Sequence, residues 1–213
     1  MSTSTVDAVS LRSPAWRRRI VEAIVFGMVI GIVAACTPTV DSSRVLVVGD
    51  SILEQSIDPV RSALEDRGWT PVTFAVGGTA IEQWVPELPT LVDQNKPSII
   101  VIELGTNDCA DGSCPDLQGQ IDAVLDAVKP VERVLWLNVQ TDPSYPAGAE
   151  LVNAALSFAA DSHPKMQIVD FSDEFHGHPQ WLENGGPHLT LAGQLHFAKL
   201  IQDAVDEFKV KGS

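Results

Sequence analysis

Along most of the chain, hydrophobic residues fall either in short unbroken runs or in sets at helical spacing. Arg44-Val-Leu-Val-Val48 is a compact β-branched run, followed by Ile52, Ile57, Val60 and Leu64 at helical intervals through Arg67. Pro71 to Val76, Ser98 to Leu104, Arg133 to Val139 and Met166 to Phe171 repeat the first pattern. Ile121 to Val128, Gly148 to Ala160 and Ala192 to Phe208 repeat the second. Short apolar runs suit strands covered on both faces, where neither side of the pleat meets water. Strands alternating with helices predict βαβ crossovers, hence a five-stranded parallel sheet with helices on both faces. Sites on such sheets form beyond the carboxyl ends of the strands.

The N-terminal pattern is different. Arg12, Arg17, Arg18 and Arg19 precede a stretch from Ile20 to Ala35 that is apolar except for Glu22. A basic region before a short apolar core predicts an export signal over residues 1–35. The stretch ends Val33-Ala34-Ala35-Cys36, which resembles the lipobox of bacterial lipoproteins. That resemblance implies diacylglyceryl transfer to the Cys36 thiol and attachment to the outer face of the cytoplasmic membrane or elsewhere in the envelope. Two or more acyl chains make a stable anchor where one is marginal. A signal anchor is the alternative, although the run is shorter than the roughly 20 residues a spanning helix needs. Residues 36–43 then form the lipidated cysteine and a polar linker, and 44–213 the folded domain.

Charge narrows the partners. Lys and Arg number 14 against 28 Asp and Glu, a net charge of −14. Removing residues 1–35 takes away four arginines and two acids, leaving −16. Phosphate backbones repel so acidic a surface, which excludes a nucleic-acid partner. An anionic leaflet offers it no attraction either, so lipid must hold it at the membrane. Beyond Cys36 only Cys109 and Cys114 remain, in Cys-Ala-Asp-Gly-Ser-Cys. In an oxidising compartment such a pair is expected as a disulfide. A metal site would need further ligands at fixed spacing, and none flanks the pair.

At the predicted strand ends stand Gly49-Asp50-Ser51, Gly77-Gly78-Thr79 and Gly105-Thr106-Asn107-Asp108, with Gly186-Pro187-His188 near the C-terminus. In this order they resemble the four blocks of the SGNH (GDSL-type) hydrolase superfamily, matched by Ser51, Gly78, Asn107 and His188. The first block reads Gly-Asp-Ser-Ile-Leu, a mild departure. The Gly-x-Ser-x-Gly elbow of α/β-hydrolases is absent. The resemblance spans about Leu46 to Ala198 and implies a flavodoxin-like three-layer α/β/α fold.

It also implies a serine esterase without metal or organic cofactor, acting on an O-acetyl glycan or a lipid ester through an acyl-Ser51 intermediate. Ser51 at a helix N-terminus lies where backbone N–H groups favour developing negative charge. A serine hydroxyl needs a base, and His188 is the candidate. The N–H groups of Ser51 and Gly78 and the Asn107 side-chain amide would hold the oxyanion. A side chain at position 78 is expected to crowd that hole. Asp50 and Asp108 are read as turn-stabilising rather than reacting groups.

One position departs from the family pattern. The superfamily places an aspartate three residues before the histidine, where this chain has Gly185. Glu183 and Asn184 are the nearest substitutes, Asp170 and Asp173 are more remote, and a backbone carbonyl would leave a Ser–His dyad. The gap motivates two alternatives: a weak or inactive envelope-binding lipoprotein on the same scaffold, and an O-acyltransferase to a glycan. His176-Gly-His178 looks metal-like but lacks further ligands at known spacing, so a solvated loop is expected. Trp136 is expected in the core, whereas Trp84 and Trp181 are open between core and cleft.

Overall fold

The computed structural model describes residues 41–109, 114, 116–141, 148–184 and 186–211. The predicted signal, Cys36, residues 37–40 of the linker and Gly185 lie outside them. The fold begins earlier than the apolar run suggests: β1 is Asp41–Gly49, so residues 41–43 of the expected linker are already strand. Asp41 pairs with Pro97, and an irregularity before Val45 resets the register.

The remaining strands are β2 (Thr70–Ala75), β3 (Pro97–Glu103), β4 (Arg133–Leu137) and β5 (Met166–Val169). All pairings are parallel, in the order β2-β1-β3-β4-β5. This is the flavodoxin-like order, and its switch point lies between β1 and β3. The helices are α1 (Ser51–Glu65), α2 (Ile81–Trp84), α3 (Leu88–Asn95), α4 (Leu117–Ala127), α5 (Ala149–Ser162), α6 (Phe171–Phe175) and α7 (Leu191–Lys211), with a 3₁₀ turn at Pro179–Trp181. The short elements α2, α3 and α6 and the 3₁₀ turn escaped the periodicity reading. Few turns give little period to detect, and Phe171, expected to end β5, instead opens α6.

Pleating divides the central strands between two cores. Val45 and Val47, Ile99 and Val101, and Leu135 and Leu137 join α1 and α7 through Ile52, Leu53, Val60, Phe197 and Ile201. Leu46, Val48, Ile100, Ile102 and Trp136 are equally buried and alternate to the opposite face. Each buried side chain of this size contributes about 1.5–3 kcal/mol, so the central strands resist displacement. They form a rigid floor for the loops at their carboxyl ends. No helix among the described residues is long and apolar enough to cross a membrane.

Candidate active site

β1 and β3 are neighbours, so the residues following them are brought together across the switch point. Gly49 pairs in register with Glu103. A Cβ at Gly49 would stand 2.7 Å from Leu53 Cβ and 2.8 Å from Glu103 Oε2. Glycine is therefore required for α1 and the Glu103 carboxyl to pack this closely. Asp50 is fully buried and caps α1, its Oδ1 accepting from Ile52 N–H at 3.0 Å. Ser51 follows as the first helical residue.

His188 reaches Ser51 from the far end of the chain. Leu182 and Leu189, both buried, form an antiparallel bridge. Glu183 N–H donates to the His188 carbonyl at 2.7 Å, and Thr190 N–H to the Trp181 carbonyl at 2.9 Å. Leu189 N–H donates to Gln55 Oε1 at 3.3 Å, tying the loop to α1. Gly193 lets α7 pass under this turn, since a Cβ there would lie 2.1 Å from the Trp181 carbonyl oxygen. Nε2 of His188 then stands 3.2 Å from Ser51 Oγ, within the reach of proton transfer.

The expected substitutes for the missing aspartate are on the same loop. The one hydrogen bond between them and His188 is the backbone bond from Glu183. Among the described residues, none accepts a hydrogen bond from Nδ1 of the ring.

Asn107 follows β3. Its Nδ2 donates to Asp50 Oδ2 at 2.8 Å and to the Thr79 carbonyl at 3.0 Å, so both amide hydrogens are engaged in this structure. For Asn107 to serve the oxyanion role expected of it, the oxyanion would have to share or displace one of these acceptors. The charge-assisted bond to Asp50 is the stronger, so the neutral Thr79 carbonyl would be the partner to give way. Gly78 adopts φ +76°, and a Cβ there would meet no protein atom within 4 Å. Besides the crowding of an oxyanion expected at position 78, the turn supplies a conformational reason for glycine: an L side chain is strained at this φ. Thr79 Oγ1 donates to the Val76 carbonyl at 2.8 Å and accepts from the Trp84 indole at 2.9 Å. Trp84 is buried core, a lock on the Gly78 turn and no cleft wall.

The electrostatics under the serine are acidic. Burial pushes Asp50 up to about 6 against the pull of Ile52 N–H and of a hydrogen bond with Glu103. Glu103, only 3% exposed, is raised well above its ordinary value by burial and then by the Asp50 charge. Asp108 is pushed up to about 6, mainly by burial, while Ile81 N–H stabilises its charge. Asp50 and Asp108 therefore do hold turns and caps, as expected. Glu103 and Thr79 were missed. A lone acid closing the apolar strand SIIVIEL was the available signal for Glu103, and a Thr directly after Gly-Gly that for Thr79.

Around the site, Cys109 and Cys114 are joined by a disulfide two residues beyond Asn107. Trp181 is half-buried between two imidazoles, His178 at 3.9 Å and His196 at 3.8 Å, and packs edge-on against Phe175. His176 is exposed. No group of three metal-ligating side chains occurs among the described residues. Trp136 is core, as expected.

The sequence pattern of the GDSL-like Lipase/Acylhydrolase family matches residues 47–196. The chain belongs to that family. Among curated relatives, it is 28% identical to Esterase TesA of Pseudomonas aeruginosa, over 72% of this chain and 83% of the esterase. It is 23% identical to an arylesterase of Vibrio mimicus, over 75% of this chain and 86% of that protein. Among solved structures, a TesA crystal structure superposes with a TM-score of 0.65 at 27% identity, covering 74% of this chain and 95% of the other. A GDSL-like lipase from Bacteroides thetaiotaomicron gives 0.68 at 20% identity, covering 90% and 97%, a likeness of fold. This GDSL family member is a carboxylic ester hydrolase.

Proposed function

We propose that the chain is an extracytoplasmic serine esterase, lipid-anchored through Cys36, that cleaves carboxylic esters by way of an acyl-Ser51 intermediate. The observation that carries this reading is the 3.2 Å approach of His188 Nε2 to Ser51 Oγ at the N-terminus of α1. In the first step Oγ bonds to the ester carbonyl carbon while its proton passes to Nε2. The carbonyl oxygen becomes an oxyanion held by the N–H groups of Ser51 and Gly78 and by Asn107 Nδ2. Collapse breaks the ester C–O bond, and the alkoxide leaves with the proton from His188. Water, activated by the same imidazole, then releases the acid and restores Ser51.

The proposed substrates are O-acetyl glycans or acyl lipids of the envelope. The experiment is hydrolysis of p-nitrophenyl acetate and butyrate by the full chain beside Ser51→Ala. Turnover lost in the variant supports the serine mechanism; equal turnover in both proteins overturns it. Mass spectrometry of Cys36 from the native membrane tests the anchor, and an unmodified thiol refutes it. The lack of an acceptor for Nδ1 of His188 among the described residues favours one second reading, a weakly active or binding protein on this scaffold. Fluorophosphonate labelling separates the two readings, because a purely binding site leaves Ser51 unlabelled.

A further inference from the structure

We infer that Glu103 is a positioning residue for the ester-cleaving site, fixing the Asn107 amide through the Asp50 carboxylate; this rests on the serine mechanism proposed above. Glu103 closes a central strand in which every residue is buried. Its Oε2 accepts from Asp50 N–H at 3.1 Å and from Leu53 N–H at 3.2 Å, so it holds the start of α1 from below. The two carboxyls are also close enough to perturb each other's titration. Asp50 in turn holds one hydrogen of Asn107 Nδ2 at 2.8 Å. The three side chains form one line from the buried end of β3, through the turn after β1, to the part-buried amide after β3.

A carboxyl group is a costly choice here. An apolar residue would fill a central strand end without desolvating an acid. Two carboxylates cannot both ionise at contact in a buried site, so one keeps a proton. The division of labour follows from the partners. Asp50 accepts from Ile52 N–H and Asn107 Nδ2 and needs both lone-pair faces as an anion. Glu103 keeps the proton on its second oxygen and donates it to Asp50, while Oε2 accepts the two backbone N–H groups. In this state Asp50 anchors one hydrogen of Asn107, leaving the one on the Thr79 carbonyl to be passed to the oxyanion. Gly49 belongs to the same device, because its missing side chain is the space the Glu103 carboxyl occupies.

The test uses kcat and KM for p-nitrophenyl acetate with the full chain, its Ser51→Ala variant, and Glu103→Leu and Glu103→Gln. Misplacing one oxyanion donor is expected to lower kcat of Glu103→Leu by about 10²-fold with KM within about twofold. Glutamine should rescue most of that loss, since its amide oxygen accepts from both N–H groups and its NH₂ donates to Asp50. In an Asn107→Ala background Glu103→Leu should cost nothing further, because the two act through one group. Full kcat in folded Glu103→Leu, a loss confined to KM, additive losses with Asn107→Ala, or failure of glutamine to rescue each overturns the inference. Should Glu103→Leu not fold, Glu103→Asp draws the carboxyl away from Asp50 and is read against the same kcat criterion. Inactive wild type, or activity surviving Ser51→Ala, defeats the serine mechanism itself. An active wild type, a dead Ser51→Ala and an unimpaired Glu103 variant defeat this inference alone.

Discussion

Oγ of Ser51 and Nε2 of His188 meet at 3.2 Å across 137 positions of sequence, and each is held by a different device. Ser51 is fixed by the capped start of α1, and His188 by the Leu182–Leu189 bridge and the bond from Leu189 N–H to Gln55. The pair should behave as a unit. Ser51→Ala and His188→Ala are each expected to lower kcat by about 10³-fold or more, and the double variant by no more than the worse single one. Multiplicative losses in the double variant would show that the two side chains act independently.

The Gly78 turn should answer to a residue buried beneath it. Trp84 donates its indole N–H to Thr79 Oγ1, which itself bonds the Val76 carbonyl. Trp84→Phe keeps most of the ring and removes that donor. The expected cost is about 1 kcal/mol of stability, typical of one lost internal hydrogen bond. A fall in kcat should accompany it, because in the proposed mechanism the turn presents the Gly78 N–H to the oxyanion. Denaturant melts and kcat on p-nitrophenyl acetate check this; full kcat would make Thr79 merely structural.

The architecture was legible because the pattern that encodes it is long. Unbroken runs such as Val45–Val48 and Ile99–Ile102 carry the strands, and parallel strands joined by helices leave few topologies. Ser51, Gly78, Asn107 and His188 were legible as types at strand ends and in a late loop. What escaped was the arrangement beneath them. A strand run does not say that Glu103 turns toward Asp50, because that depends on the register of β1 against β3 and on the space above Gly49. Nor does a Gly-Gly-Thr turn reveal that Thr79 grips a tryptophan. The conformational demand on Gly78 was hidden in the same way, since its φ of +76° belongs to the folded turn and not to the residue type.

The Cys109–Cys114 disulfide should matter to rate as well as to stability. Cys109 lies two residues after Asn107 at φ +58°, and it packs so closely on Gly148 that a Cβ there would stand 2.5 Å from its own. Joining residues five apart removes about 2 kcal/mol of unfolded-state freedom on the chain-entropy model. The double variant Cys109→Ser, Cys114→Ser should lose about that stability. Its kcat should also fall, by about tenfold if the Asn107 amide wanders by a fraction of an ångström. Unchanged turnover would show that the disulfide stabilises the loop without positioning the amide.

Stability and activity should run in opposite directions with pH. Asp50 and Asp108 are raised from 3.8 to about 6, chiefly by burial, and Glu103 is raised well above its ordinary 4.5. Each binds its proton more tightly folded than unfolded. The folded state therefore holds more protons once the unfolded chain has lost its own, and stability falls as pH rises from about 4 through about 6. For Asp50 and Asp108 that loss is complete above about 7; Glu103 adds a loss of the same sign. A net charge of −14 adds self-repulsion of the same sign. Asp126, lowered by Lys129, acts in the opposite sense, but it is fully exposed and screened. The proposed mechanism needs the reverse: Asp50 ionised to hold Asn107, and the groups facing it are Glu103, Asp108 and His188. The melting temperature should thus be higher at pH 5 than at pH 8, while kcat rises across the same interval. A melting temperature that climbs from pH 5 to pH 8 would mean that the buried carboxyls are ionised without penalty.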